Sequence, residues 1–219
     1  MNIYLDDNFV SEMTNSAVSK GQSIFQIYKF GNDKEHVEKL LTLFNPPSGK
    51  LLDVGCGIGK VSELISEKRK DIQCVLLNIS QSQLDLCPDM EKIHADFHSI
   101  PTEDNEFDSV MFNYSLGHGR LIDGLKEAAR VLKTNGVLFI YDIASDNPLS
   151  IYESLGYATY SERDVIETAK LFGLKCTLRS RADGSNTDDF LKILDSEIFN
   201  ALFCGVRPVA YRFVKIGVF

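Results

Sequence analysis

Along the chain, short apolar runs alternate with stretches whose apolar residues recur every three or four positions. The first such stretch runs from Asp33 to Phe44. Val37, Leu40, Leu41 and Phe44 share one helical face there, with Asn32 or Asp33 as the cap. Asn45-Pro46-Pro47-Ser48-Gly49 stops this helix. Leu51–Val54 reads as a short buried strand, and Val61-Ser62-Glu63-Leu64-Ile65 opens the next helix. Ile72–Ser80 predicts a second strand. The helix after it extends only from Gln81 to about Cys87, because Pro88 cuts it short. Lys92–Ala95 and Glu106–Asn113 predict two more strands. Gly119–Leu132 predicts a long helix with Leu121, Leu125, Ala128, Ala129 and Leu132 facing inward, and Asn135-Gly136 turns it into a fifth strand, Val137–Asp142.

The remainder continues the alternation. Ser161-Glu162-Arg163-Asp164 has capping-box spacing and starts a helix that ends at Leu171-Phe172-Gly173-Leu174. Lys175–Arg181 predicts a strand, and Thr187 to about Phe203 a helix faced by Phe190, Leu191, Leu194, Ile198 and Leu202. Pro208–Lys215 closes the chain as an alternating strand. Strands alternating with helices predict an open α/β sheet covered on both faces. Neither a repeat nor a linker divides the sequence, so a single domain over residues 1–219 is expected, with 1–35 as a polar lead-in. Phe25 and Tyr28 in that lead-in either pack as core or form a lid over a ligand.

Asp53-Val54-Gly55-Cys56-Gly57-Ile58-Gly59-Lys60 carries the chemistry. Glycine permits backbone angles that a side chain forbids and lets a ligand lie against the main chain. A turn into a helix also aims backbone N–H groups at that ligand. A dinucleotide loop has the spacing G-x-G-x-x-G. Here the third glycine, Gly59, comes one residue early and Lys60 takes the expected place. With Asp53 two residues before the first glycine, Leu51–Gly59 resembles motif I of the class I S-adenosylmethionine (SAM) dependent methyltransferases.

That resemblance runs from about residue 30 onward. It implies a Rossmann-like three-layer α/β sandwich, with a mostly parallel seven-stranded sheet in the order 3-2-1-4-5-7-6 and an antiparallel last strand. It implies SAM as cofactor, held by Asp53, Gly55, Cys56, Gly57 and Gly59. Such enzymes usually end the second strand with an acid that grips the ribose; this chain has Asn78. An amide lacks the charge-assisted strength of a carboxylate. Leu77-Asn78-Ile79-Ser80-Gln81-Ser82-Gln83 is similar to the variant in cyclopropane fatty acid synthases and some isoprenoid methyltransferases, which makes Asn78, Ile79 and Gln83 ribose-side contacts. The alternative is a capping Ser80 and a solvated Gln83.

Ala95-Asp96-Phe97 matches the family's adenine position, Asp96 accepting from the exocyclic amine and the next N–H donating to the ring. Asn113 ends the fourth strand, and Asn113-Tyr114-Ser115-Leu116-Gly117-His118 should line the pocket beside the methyl group. His118 is either a general base or a helix-start histidine packed beneath the site, and Tyr114 is a positioning group. Cyclopropane synthases have Glu where this chain has Gly117, which favours plain methyl transfer over ring formation. Ala129-Arg130-Val131-Leu132-Lys133 leading to Gly136 is a further family hallmark, and Tyr141 and Asp142 are acceptor-side candidates.

Composition narrows the partners. A net charge of −8 argues against a broad nucleic-acid footprint, and Lys68-Arg69-Lys70 fits a helix end. Asn45-Pro46-Pro47-Ser48 is a turn, because it precedes motif I and lacks the final aromatic of the DNA amino-methyltransferase motif. Five cysteines without C-x-x-C spacing predict neither a disulfide framework nor a metal site, and suit a cytoplasmic setting. No apolar run reaches membrane-spanning length. The expected function is methyl transfer from SAM to a small metabolite or an isoprenoid-like lipid; the alternative is a SAM-binding regulatory protein without catalysis.

Overall fold

The computed structural model describes residues 33–146, 157–181 and 206–217. Phe25 and Tyr28, most of the stretch after Asp146 and the helix expected over 187–203 lie outside the described residues. Helix α1 (Asp33–Phe44) leads into β1 (Gly49–Val54), α2 (Lys60–Lys68) and β2 (Ile72–Asn78). Then come α3 (Gln81–Asp85), β3 (Glu91–His94), β4 (Phe107–Asn113) and a 3-10 turn at Leu116–His118. Helix α4 (Leu121–Val131), β5 (Leu132–Ser145), α5 (Glu162–Leu171), β6 (Leu174–Arg181) and β7 (Val206–Lys215) complete the chain order.

These strands form one seven-stranded sheet in the order β3-β2-β1-β4-β5-β7-β6. β7 runs antiparallel to both β5 and β6, and the other pairings are parallel. Strand alternation sorts the core onto two faces. Leu52, Val54, Val110, Phe112, Leu138 and Ile140 pack with Leu125 and Ala128 of α4 and Val165 of α5. Leu51, Cys74, Met111, Phe139 and Tyr141 pack with Val37, Leu40 and Phe44 of α1 and Leu64 and Ile65 of α2. The three-layer architecture follows from that sorting.

Two boundaries differ from expectation. The long helix expected from Gly119 begins later: Gly119 is extended, and α4 starts only at Leu121. Asn135-Gly136 does not separate helix from strand. β5 begins at Leu132, directly after α4, and the pairing with β4 jumps from Phe107–Leu132 to Ser109–Val137. Asn135, at φ 64°, sits inside that bulge.

Arg130 in the family hallmark has a visible task. Its guanidinium donates to the carbonyls of Ile100 (2.7 Å) and Thr102 (2.8 Å), to Asp104 (2.8 Å) and to both oxygens of Glu127. Glu127 in turn accepts from the Ile100 N–H at 2.9 Å. The loop between β3 and β4 is thereby pinned to α4. A lysine keeps the charge but loses the planar fork. Arg130→Lys is therefore expected to lower unfolding free energy by about 2 kcal/mol, read by urea denaturation.

Candidate cofactor site at the carboxyl edge of the sheet

Sheet order reverses at β1, whose neighbours are β2 on one side and β4 on the other. In open α/β sheets the crevice outside the strand carboxyl ends at such a point receives ligands. The glycine loop occupies it. The N–H groups of Gly55 and Cys56 both donate to the Leu77 carbonyl, at 2.8 and 3.1 Å, which folds the loop over the end of β2. Gly55, Gly57 and Gly59 all have positive φ. A Cβ on Gly55 would lie 2.5 Å from the Ser115 Cβ, so this glycine lets the loop press against the chain leaving β4. Gly57, at φ 57°, is half-buried in the middle of the loop. Main chain without a side chain is what a ligand lying against the backbone requires.

Asp53 lies beneath the loop at 2% exposure. Ser62 Oγ donates to its carboxylate at 2.6 Å, tying β1 to the first turns of α2. Burial raises its pKa to about 6. The folded state then holds this proton more tightly than the unfolded chain, so the ionised Asp53 costs stability above pH 6 and the cost vanishes as pH falls toward 4. Burial acts oppositely on His36, lowering its pKa to about 4, so stability is lost as pH falls from 6.5 toward that value. Comparison with Asp53→Asn isolates the aspartate. The unfolding free energy of the variant minus that of the natural chain should shrink by about 2 kcal/mol between pH 7.5 and 4.5.

Asn78 and Gln83 are brought together with the loop. Asn78 Nδ2 donates to the Gly57 carbonyl at 3.1 Å and to Gln83 Oε1 at 2.8 Å. Ser80 caps α3 through the Gln83 N–H, and the Gln83 side chain turns inward against Asn78 rather than into solvent. Ile79 also lies at this edge, its carbonyl bound by the His94 ring at 2.9 Å.

Asp96 is exposed at the next strand end, on the loop after β3. Its Oδ1 accepts from the backbone N–H (2.9 Å) and ring Nδ1–H (2.5 Å) of His98. His98 Nε2 accepts from the Arg120 N–H at 3.0 Å, connecting this loop to the start of α4. The Phe97 ring points inward and packs edge-on against Phe112.

Tyr114 and His118 do not form one constellation. Tyr114 has φ 53°, rare for a residue with a side chain and a mark of local strain. Its ring lies edge-on to Tyr141 (centroids 5.2 Å), on the α1–α2 side of the sheet. There His36 Nε2–H reaches Asn113 Oδ1 at 3.3 Å. The turn bearing His118 is fixed from the other side: Leu116 belongs to the α4–α5 core, and the His118 ring stands against Tyr157 (centroids 4.5 Å). Asp142 holds that turn. Its buried carboxylate accepts from the N–H groups of Leu116 (3.1 Å) and Ile143 (2.7 Å) and from the Tyr157 hydroxyl, and burial raises its pKa to about 6. Asp142 is thus engaged as a cap. His36 and His98 were not singled out by sequence; a histidine on an apolar helix face or in a polar loop carries no periodic signal of its partner.

The switch-point glycine loop and the sheet order give this chain the class I methyltransferase fold. Residues 52–140 match the methyltransferase domain family. Over 138 residues the chain is 31% identical to ribosomal RNA-processing protein 8 of Caenorhabditis briggsae, covering 59% of this chain and 38% of that protein. Over 132 residues it is 30% identical to the demethylmenaquinone methyltransferase of Thermotoga maritima, covering 56% of each. The chain thus spans well under two thirds of either relative. Geranyl diphosphate C-methyltransferase from Streptomyces coelicolor shares the fold with TM-score 0.72 at 14% identity, over 84% of this chain and 81% of that one. A relative named for ribosomal RNA leaves the expected exclusion of nucleic-acid partners without support. Among the described residues no helix is long and apolar enough to cross a membrane.

Proposed function

We propose that this chain binds SAM on the Gly55–Gly59 loop and transfers its methyl group to a small-molecule acceptor. The observation that carries this is the run of three positive-φ glycines at the sheet's switch point, with the Asn78–Gln83 amide pair bonded to the Gly57 carbonyl. The loop receives the amino-acid end of the cofactor, over a β1–α2 junction held by Asp53. Asn78, Ile79 and Gln83 face the ribose, Asp96 and the Phe97 N–H the adenine, and Asn113 the methyl side. SAM supplies a methyl group on a sulfonium that is already an activated leaving group. The protein's part is to align the acceptor and exclude water. A base is needed only where the acceptor must lose a proton, and His118, steadied by Tyr157 and the Asp142 cap, is the candidate. Tyr114 positions from the opposite face.

An isoprenoid-like acceptor is supported by two relatives whose names describe such substrates. RNA is the second reading, favoured by the nematode relative's name and opposed by the net charge of −8. Calorimetric titration of the reduced protein with SAM and with S-adenosylhomocysteine tests the cofactor. Radiolabelled methyl transfer to isoprenoid quinone precursors, amines and ribosomal RNA then tests the acceptor. A folded protein that binds neither nucleoside overturns the proposal. Binding without transfer to any acceptor favours the non-catalytic alternative.

A further inference from the structure

Two thiols converge on the cofactor loop. Cys56 Sγ lies 3.5 Å from the Gly57 carbonyl oxygen, and Cys87 Sγ lies 3.4 Å from the same oxygen and 3.4 Å from that of Gln83. Cys56 also packs against the small core cluster of Leu76, Leu84 and Cys87. The shortness of α3 brings this about. The helix ends at Asp85, and the chain then places Cys87 and Pro88 directly against the loop. A Cβ on Gly59 would stand 2.9 Å from Pro88 Cδ and 3.2 Å from Cys87 Sγ. The Gly57 carbonyl thus accepts from Asn78 Nδ2, with both sulfurs close by, each able to donate to it only while protonated.

The pair is chemically asymmetric. The neighbouring Cys56 thiol and the Lys92 ammonium lower the Cys87 thiol pKa, while Cys87 and burial push that of Cys56 up. Lys92 Nζ is 3.0 Å from the Cys87 carbonyl. A stabilised thiolate beside a second thiol suits reaction with peroxide followed by resolution.

We propose that Cys56 and Cys87 are a redox-sensitive pair that closes to a disulfide under hydrogen peroxide, reopens under a thiol reductant, and disables the cofactor loop while closed. The last part rests on the cofactor reading of that loop. In the first step the Cys87 thiolate attacks one peroxide oxygen and the O–O bond breaks. Cys87 becomes a sulfenic acid, and the departing hydroxide takes a proton to become water. Cys56 then gives its proton to solvent and attacks the Cys87 sulfur, expelling hydroxide, which is protonated to a second water. Two thiols are oxidised and one peroxide is reduced to two waters. An S–S bond of about 2.05 Å is far shorter than a contact between unbonded sulfurs, so closing it draws the glycine loop and the segment after α3 together. Both thiol protons are lost, and the Gly57 carbonyl keeps only Asn78 as donor.

The test uses the full chain, reduced or treated with hydrogen peroxide, analysed by peptide mapping without reductant and by calorimetry with SAM. A cross-linked peptide joining Cys56 to Cys87 is expected. SAM affinity should fall at least about tenfold in the oxidised protein and return with dithiothreitol. Cys87→Ser should yield no cross-link, and its affinity should be the same before and after peroxide. Cys176→Ser, altered on distant β6, should behave as the natural chain. Two free thiols after peroxide, or a Cys87 sulfinic acid without cross-link, overturns the proposal; so does a cross-link that leaves affinity unchanged. Should the reduced protein fail to bind SAM, the cofactor reading falls and control of binding falls with it, while the peptide map still decides the disulfide.

Discussion

Gly57→Arg is expected to abolish SAM binding and leave the fold standing. An arginine at φ 57° costs roughly 1–2 kcal/mol of backbone strain. Position 57 lies in the loop after β1, beyond the last paired residue Val54, so the strands keep their register. The guanidinium instead fills the space where a ligand would lie on the loop. Affinity should drop by at least about a hundredfold, near 2.7 kcal/mol, with an unchanged circular dichroism spectrum and a midpoint lowered by a few degrees. Gly55→Ala is the contrasting control. Its Cβ would press on Ser115 at 2.5 Å, so its main loss is thermal stability. Natural-level SAM binding by Gly57→Arg would remove the cofactor from this loop.

Asn78→Asp should weaken SAM binding, although it installs the acid usual at the end of the second strand. In this chain the Asn78 side chain is a donor before it is anything else. Its Nδ2 serves the Gly57 carbonyl and Gln83 Oε1. A carboxylate would set an anionic oxygen against both acceptors in a position only 6% exposed. The Gln83 amide can rotate to offer its nitrogen, but the Gly57 carbonyl cannot turn without moving the loop. A buried group left without its partner costs about 1–3 kcal/mol, so a fall of about tenfold in affinity is expected by calorimetry. Equal or tighter binding would mean that the amide pair opens when the cofactor enters and that Asn78 is free to take the ribose.

The sequence made the loop legible because its signals are local. Three alternating glycines after a strand-end acid require positive φ values wherever the strand goes, and capping-box spacing at Ser161 specified the start of α5 without outside help. Strand order came from resemblance to a known family, not from periodicity. What stayed illegible depends on distant contact. The His36–Asn113 bond joins residues 77 positions apart. The thiol pair exists only because a five-residue helix returns the chain to the loop. Tyr114 and His118 look like neighbours on one segment, yet Tyr114, at positive φ, packs against Tyr141 while the His118 ring stands against Tyr157. Propensity cannot foresee such a turn in a tyrosine.

β7 lies between β5 and β6 although it is made after both. Its Val209, Tyr211 and Phe213 are buried in the core it shares with them. On the ribosome the outer edge of β5 therefore waits, unpaired, while the residues up to 205 are translated, a delay of seconds at about 5–20 residues per second. An open strand edge is a template for association with other chains. Closure of this sheet is thus a late event in biosynthesis, and its yield depends on what shields that edge until residues 206–215 arrive.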